Sequence, residues 1–271
     1  MSEPHNVCCN FAPEVAPLDY ATAYKNRAWD RKVIGNVLQI YFLDVSDDEA
    51  ENRLFVRKTA SEWLTEVDAR RAEIEAKDDT LAGYKLMLAF NFDQADPAKA
   101  HIRIKFSTTD ASQTVAIGKA VQDLVVSPAP TMYLNLSSNP ASPWRCNHVL
   151  HEFGHALGLV HEHQHPGLYK LDEDKVLEFY KAQKRVTVTN LHKFVTRDIV
   201  NRYNYSELAK PNGVTLDPES IMMYPLDPDW VVNTRVLAKY PIKYKIMDDP
   251  PQRLSTGDLV WMLRTYGQRL V

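Results

Sequence analysis

Four of the nine histidines in this chain lie within thirteen residues, in the stretch HEFGHALGLVHEH that begins at His151. His151 and His155 are four residues apart, so a helix places both imidazoles on one face, about one turn from each other. Both ring systems can then bind the same metal ion. Glu152 lies on the adjacent flank of that helix, where a carboxylate is poorly placed to bind the ion. It is well placed to act as a base on a water activated by the metal.

A third histidine reaches this ion only if the chain turns back. Ten residues of continuous helix would carry His161 about 15 Å along the axis from His151. Gly158 lies between them, and glycine readily adopts the left-handed conformation that ends many helices. The sequence therefore predicts a helix that supplies two ligands, a break at Gly158, and a returning chain that supplies His161. Three imidazoles and an open fourth position are typical of a catalytic zinc ion, because structural zinc sites are closed by a fourth protein ligand.

The pattern H-E-x-x-H-x-x-G-x-x-H over residues 151–161 resembles the zinc signature of the metzincin metallopeptidases. Glu162, directly after the third histidine, resembles the astacin branch of that family. Downstream, SIMMYP over residues 220–225 resembles the astacin Met-turn, with Met223 where a histidine is usual.

The resemblance implies roles for three further residues. Met222 is expected to pack beneath the metal as a soft, apolar floor. Tyr224 is expected to bind zinc at rest and to stabilise the oxyanion during turnover. Glu162 is expected to have a structural role, through a salt bridge to a mature N-terminus or to the lower part of the domain.

Hydrophobic patterns predict the elements that position these residues. The strand-like runs are residues 37–44, 84–92, 101–106 and 131–136. Helical patterns cover residues around 56–67 and the ranges 144–157, 172–183 and 196–205, and a last helix begins at a capping box of Ser255 and Asp258 and ends at Gly267. Strands lie mainly in the first half and helices in the second, which favours an α+β or α/β fold with a cleft where the halves meet.

The resemblance narrows this to an α+β, metzincin-type zinc peptidase domain. It implies a twisted mixed sheet, an active-site helix above the cleft, and a mostly helical or irregular lower subdomain. The expected organisation is an N-terminal arm (1–34) and one catalytic domain (35–271), divided into upper (35–160) and lower (161–271) subdomains. Prolines precede the run 131–136 and favour an edge strand there, along which the backbone of a peptide substrate would pair.

Composition excludes several classes of function. A net charge of −3 offers no basic surface for nucleic acid, and no run of 18 apolar residues predicts a membrane span. Three cysteines, an odd number, exclude a disulfide framework. The polar N-terminus does not resemble a signal peptide, so the protein is either cytoplasmic or lacks a leader that was removed. Cys8 and Cys9 raise the hypothesis of a thiolate that occupies the open zinc position and keeps the enzyme latent.

These observations predict a zinc-dependent endopeptidase with one catalytic Zn²⁺ ion. His151, His155 and His161 bind the metal, Glu152 is the general base, and Tyr224 stabilises the oxyanion. Two other functions remain open: a zinc-holding binding module without peptidase activity, and a hydrolase of another carbonyl substrate. The products formed from a peptide mixture would distinguish the three.

Overall fold

The computed structural model describes residues 27–107, 112–136, 139–182, 188–203, 217–239, 241–243, 245 and 249–270. Cys8 and Cys9 lie outside the described residues, and so does most of the predicted arm 1–34. The latency hypothesis and the proposed boundary of the arm therefore stay predictions.

Two sheets form within the described residues. The seven strands are β1 (Val37–Phe42), β2 (Tyr84–Leu86), β3 (Ala89–Asn91), β4 (Ile102–Phe106), β5 (Gln113–Thr114), β6 (Met132–Leu134) and β7 (Gly267–Arg269). The larger sheet has the order β3-β1-β4-β6-β5, and every neighbouring pair is parallel except β5 with β6. The predicted mixed sheet is therefore confirmed.

The single strand predicted over residues 84–92 is wrong. The chain forms β2 and β3 instead, and β2 leaves the larger sheet to pair antiparallel with β7. The apolar run continues through both strands because both are partly covered. A continuous apolar run does not show where a chain passes from one sheet to another.

The edge position predicted for residues 131–136 is also wrong. β6 lies between β4 and β5, and Met132 pairs with Ile104 on one side and with Thr114 on the other. The prolines precede the strand, in the turn at residues 127–130, so they remove no ladder hydrogen bond from it. In the described part of the sheet, the edge strand on this side is β5.

The helices carry most of the residues predicted to do chemistry. They are α1 (Ala50–Ala69), α2 (Arg71–Lys77), α3 (Ala120–Leu124), α4 (Pro143–Leu157), α5 (Glu173–Ala182), α6 (Val188–Phe194), α7 (Thr234–Lys239) and α8 (Thr256–Tyr266). A π-helical segment, Val195–Val200, continues α6 and replaces the helix predicted to begin at residue 196. None of the described helices is long and apolar enough to cross a membrane.

The boundaries of α4 follow from its local sequence. Pro143 occupies the first turn, where a missing N–H costs nothing. Gly158 ends the helix with φ 118° and ψ 2°, the left-handed conformation expected from the sequence. The N–H of Gly158 bonds back to the carbonyl of Gly154, and the chain then reverses.

The buried apolar side chains form two clusters. The first cluster contains the sheet, α1, α4 and α8, with Trp63, Phe153 and Met222 fully buried. The second cluster contains α5, α6 and the chain around Tyr224 and Trp230. α8 lies far beyond residue 160 in the sequence, yet it packs into the first cluster. The predicted division into two subdomains at residue 160 stays a prediction.

The start of α8 was predicted correctly. Ser255 and Asp258 form a reciprocal capping box, in which each side chain accepts the backbone N–H of the other. Gly267 ends the helix as predicted, but its φ of −85° is extended and it begins β7. Glycine is needed there for another reason, because a Cβ would lie 2.2 Å from the carbonyl oxygen of Leu263.

Candidate metal centre

The structure brings His151, His155 and His161 together. One ring nitrogen of each lies within 4.8 Å of the others, and all three side chains are buried. α4 supplies the first two, and the reversal at Gly158 returns the third, as the spacing predicted.

Backbone carbonyls fix the tautomer of the two helical histidines. His151 Nδ1 lies 2.9 Å from the carbonyl oxygen of Ile221, and His155 Nδ1 lies 2.9 Å from that of Leu159. A carbonyl oxygen only accepts hydrogen bonds, so each Nδ1 carries the proton and each Nε2 presents a lone pair. This is the form in which imidazole binds a metal ion.

The donor set fits a cation. Burial lowers the pKa of His155 to about 4 and lowers the pKa values of His151 and His161 well below 6.5, so the rings are neutral. His155 Nε2 and His161 Nε2 are 3.0 Å apart, and His151 Nε2 has no hydrogen-bond partner among the described residues. A shared metal ion would satisfy all three nitrogens at once.

Glu152 lies on the flank of α4 and is fully buried. The hydroxyl of Thr114 donates a hydrogen bond of 2.8 Å to Glu152 Oε2, which ties the carboxylate to the edge strand β5. Sequence reasoning missed Thr114. No sequence signal could have found it, because 38 residues separate the partners and a single threonine in a short strand is unremarkable.

Gly154 and Met222 pack against each other. A Cβ on Gly154 would lie only 2.4 Å from the sulfur of Met222, so this glycine, at a variable position of the motif, makes room for the methionine. The neighbouring Ile221 supplies the carbonyl that orients His151. Met222 therefore contacts α4, the helix that carries His151 and His155, and its role as a floor beneath a metal stays a prediction.

Tyr224 lies between two histidine rings. Its ring centroid is 4.4 Å from that of His161, and 4.4 Å from that of His163, on which it stacks at an angle of 19°. His163 is 1% exposed, although its polar neighbours favour a solvated loop. His165 is buried as well. The polar composition of this stretch concealed that Tyr224 and the π-helical segment contact His163.

Glu162 takes part in no ion pair among the described residues. Its Oε1 accepts a hydrogen bond of 2.8 Å from the backbone N–H of Asp217 instead, which links the end of the motif to the segment before Ser220. Burial raises the pKa of Glu162 to about 8. A salt bridge to the N-terminus lies outside the described residues.

Asp258 holds the turn that carries Met222. One of its oxygens accepts a bond of 2.7 Å from the hydroxyl of Ser220, and the other accepts one of 2.9 Å from the N–H of Ile221. Burial raises the pKa of Asp258 to about 6. The capping box of α8 therefore also anchors the residue whose carbonyl orients His151.

No protein-family model matches the chain, and no curated protein does either. Solved structures do. One structure of myroilysin matches with a TM-score of 0.63 and 20% identity, over 90% of this chain and 97% of that chain. A second structure of myroilysin gives a TM-score of 0.52 and 20% identity, over 97% of this chain and 92% of that chain.

A weaker likeness joins the chain to high choriolytic enzyme 1, a hatching enzyme zinc-protease from the medaka fish Oryzias latipes. The TM-score is 0.40 and the identity 13%, over 89% of this chain and 93% of that chain. The two myroilysin structures show a shared fold, and the predicted α+β class is confirmed.

Proposed function

We propose that this chain is a zinc-dependent endopeptidase. The observation that carries the proposal is the convergence of three buried, neutral imidazoles, with no fourth histidine, cysteine or carboxylate in the group among the described residues. A three-ligand set is that of catalytic zinc. Nitrogen ligands without a thiolate suit zinc, although cobalt, nickel and copper would compete for them in vitro.

Each residue of the site has a distinct task in this proposal. When bound, zinc would polarise the scissile carbonyl and make a water molecule nucleophilic near neutral pH. Glu152 would accept the proton of that water and pass it to the leaving amine. The bond from Thr114 supports this role, because it holds the carboxylate in one orientation on the flank of α4.

Tyr224 would donate a hydrogen bond to the carbonyl oxygen as negative charge develops on it. Its place between the rings of His161 and His163 supports this role, since it keeps the phenol beside the ligand cluster. Met222 and Glu162 would support the site from beneath, through Gly154 and Asp217 respectively.

The peptide would pair with the outer edge of β5 and add a strand to the sheet. β5 is the edge strand of the described sheet on the side of β6. It carries Thr114, whose hydroxyl contacts Glu152. A substrate backbone there would therefore run beside the proposed base.

The test is mass spectrometry of a mixed peptide library incubated with the zinc-loaded protein. The wild type is expected to cleave peptides, and Glu152→Gln is expected to lose at least about 100-fold in rate while it keeps its zinc, because a general base contributes roughly 10²–10⁴. Glu51→Gln, an exposed position on α1, is the matched control and should cleave like the wild type. Equal cleavage by Glu152→Gln would refute the assignment of the base. Zinc binding without any cleavage would favour a zinc-holding binding module.

A further inference from the structure

Gln164 is a buried side chain that uses both ends of its amide, and it lies three residues after the third ligand. It is 3% exposed. Its Nε2 donates to the carbonyl oxygens of Arg197 at 2.8 Å and Asn201 at 2.9 Å. Its Oε1 lies 2.6 Å from the hydroxyl of Tyr203 and 3.3 Å from His161 Nδ1.

The two carbonyls determine which way this amide points. A carbonyl oxygen cannot donate, so the end of the amide that faces Arg197 and Asn201 has to be the nitrogen. The oxygen then has to face Tyr203 and His161. An amide oxygen only accepts, so His161 Nδ1 has to carry the proton, and its Nε2 is left with a lone pair.

The third ligand therefore differs from the first two. Backbone carbonyls orient His151 and His155, and no side-chain substitution removes a backbone carbonyl. A side chain orients His161. The orientation of that side chain is in turn set by the carbonyls of Arg197, within the π-helical segment, and Asn201, directly after it.

We infer that Gln164 is a positioning residue for metal binding. It holds His161 in the Nδ1–H tautomer, with Nε2 directed at the shared ligand position, and it connects this ligand to Arg197, Asn201 and Tyr203, in the π-helical segment and the chain after it. The inference rests on the proposed function only in that it takes His161 as a zinc ligand.

The test compares the zinc affinity of two substitutions at this position. Gln164→Met has a similar shape but neither donates nor accepts as an amide does, whereas Gln164→Glu keeps an oxygen acceptor for His161. Both lose the donors to Arg197 and Asn201, so both should unfold at lower temperature. Loss of a partner that orients a ligand typically weakens metal binding about 10–100-fold. We expect this loss of zinc affinity for Gln164→Met alone. The zinc affinity of Gln164→Glu should stay close to that of the wild type. Competition with a chromophoric chelator measures the zinc dissociation constants.

Asn147→Leu is the matched control. Asn147 is a buried amide on α4 that donates to the carbonyl of Pro251 at 2.8 Å, and its side chain forms no hydrogen bond with a histidine of the cluster among the described residues. Its loss should lower stability and leave zinc affinity unchanged. Wild-type affinity in Gln164→Met, or equal weakening in Gln164→Met and Gln164→Glu, would overturn the inference, because either result would assign Gln164 a purely structural role.

A second measurement needs no variant. Nitrogen-15 spectra of the zinc-loaded wild type should show a protonated Nδ1 and a metal-bound Nε2 for His161, and coordination through Nδ1 would overturn the inference. A wild type that binds zinc but cleaves no peptide would remove the proposed function alone, since the affinities and the tautomer decide the role of Gln164 independently.

Discussion

The two sides of the candidate site are built differently. His151 and His155 project from one regular helix, α4, which is embedded in the first cluster. Backbone carbonyls orient both of these rings. On the other side, His161 and Tyr224 come from irregular chain and are held by a side-chain amide and by ring packing. The helical side depends on the fold as a whole, and the irregular side depends on individual side chains.

The two sides meet within two consecutive residues. Met222 belongs to the first cluster and Met223 to the second, so the turn that orients His151 also delivers Tyr224. We therefore expect substitutions of the packed apolar residues on the helical side to act through stability alone, whereas substitutions around His161 and Tyr224 should also change metal binding or rate.

The largest effect is expected from Trp63→Ala. Trp63 is fully buried in the first cluster, and its indole N–H donates to the carbonyl of Leu150 on α4 at 3.0 Å. Removing a buried aromatic side chain costs about 3–5 kcal/mol, and we expect the free energy of unfolding to fall by that amount in urea denaturation. Trp261→Ala, which removes a partly buried indole on α8, should cost clearly less. If both variants lost a similar free energy of unfolding, the contact between α1 and α4 through Trp63 would contribute no more to stability than the partly buried Trp261.

Gly154→Ala should have the next largest effect. The added Cβ would lie 2.4 Å from the sulfur of Met222, and overpacking of this kind costs about 1–3 kcal/mol. Met222→Ala provides space, so the double variant should lose less stability than the sum of the two single variants. Thermal unfolding of the wild type, the two single variants and the double variant measures the coupling energy between these residues. Strictly additive losses of stability would show that Gly154 and Met222 are not sterically coupled.

His163→Ala tests the irregular side. It removes the ring on which Tyr224 stacks, and an aromatic pair is worth about 0.5–1.5 kcal/mol, which corresponds to roughly 2–10-fold in rate. We expect kcat for peptide cleavage to fall by that factor while zinc affinity stays unchanged. His163→Phe keeps a ring and should recover most of the rate. If zinc affinity falls with the rate, the ring supports the ligands rather than the tyrosine.

The smallest effect concerns acid stability on the helical side. Arg264 Nε lies 2.7 Å from Asp78 Oδ2 and joins α8 to the end of α2, and its hydrogen bond lowers the pKa of Asp78 below 3.8. A carboxylate whose pKa is lower in the folded than in the unfolded protein stabilises the fold at any pH above its unfolded-state pKa. That contribution is lost as the pH falls through its folded-state pKa. Wild-type stability should therefore decline below about pH 4, by no more than about 1 kcal/mol for a partly exposed pair. Arg264→Gln should remove this part of the decline, and an unchanged pH profile would show that the pair contributes nothing.

Local pattern predicted much of the candidate site. The helix over residues 144–157 was found at 143–157, the reversal at Gly158 has the expected left-handed conformation, and the three histidines converge. The capping box at Ser255 and Asp258 is present. Each of these features depends on residues that are close in sequence, where helix geometry and capping rules apply directly.

Features that depend on distant residues were missed or wrong. The edge strand is β5 rather than β6, because strand order depends on which segments pair and not on the composition of one segment. His163 is buried although its neighbours are polar, since burial depends on what packs around a loop. The bond from Thr114 to Glu152 left no signal in spacing, and the orientation of Gln164 towards His161 depends on the distant carbonyls of Arg197 and Asn201.

The local sequence is sufficient to predict that His151, His155 and His161 converge, because a helix with a four-residue spacing and a terminal glycine allows few arrangements of these side chains. What orients the three rings and what lies beside them depends on the tertiary structure. The hydroxyl of Thr114, two backbone carbonyls, the amide of Gln164, the rings of His163 and Tyr224 and the carboxylate of Asp258 come together there only when the two clusters assemble. Long-range packing, unlike helical periodicity, is a property of the whole chain.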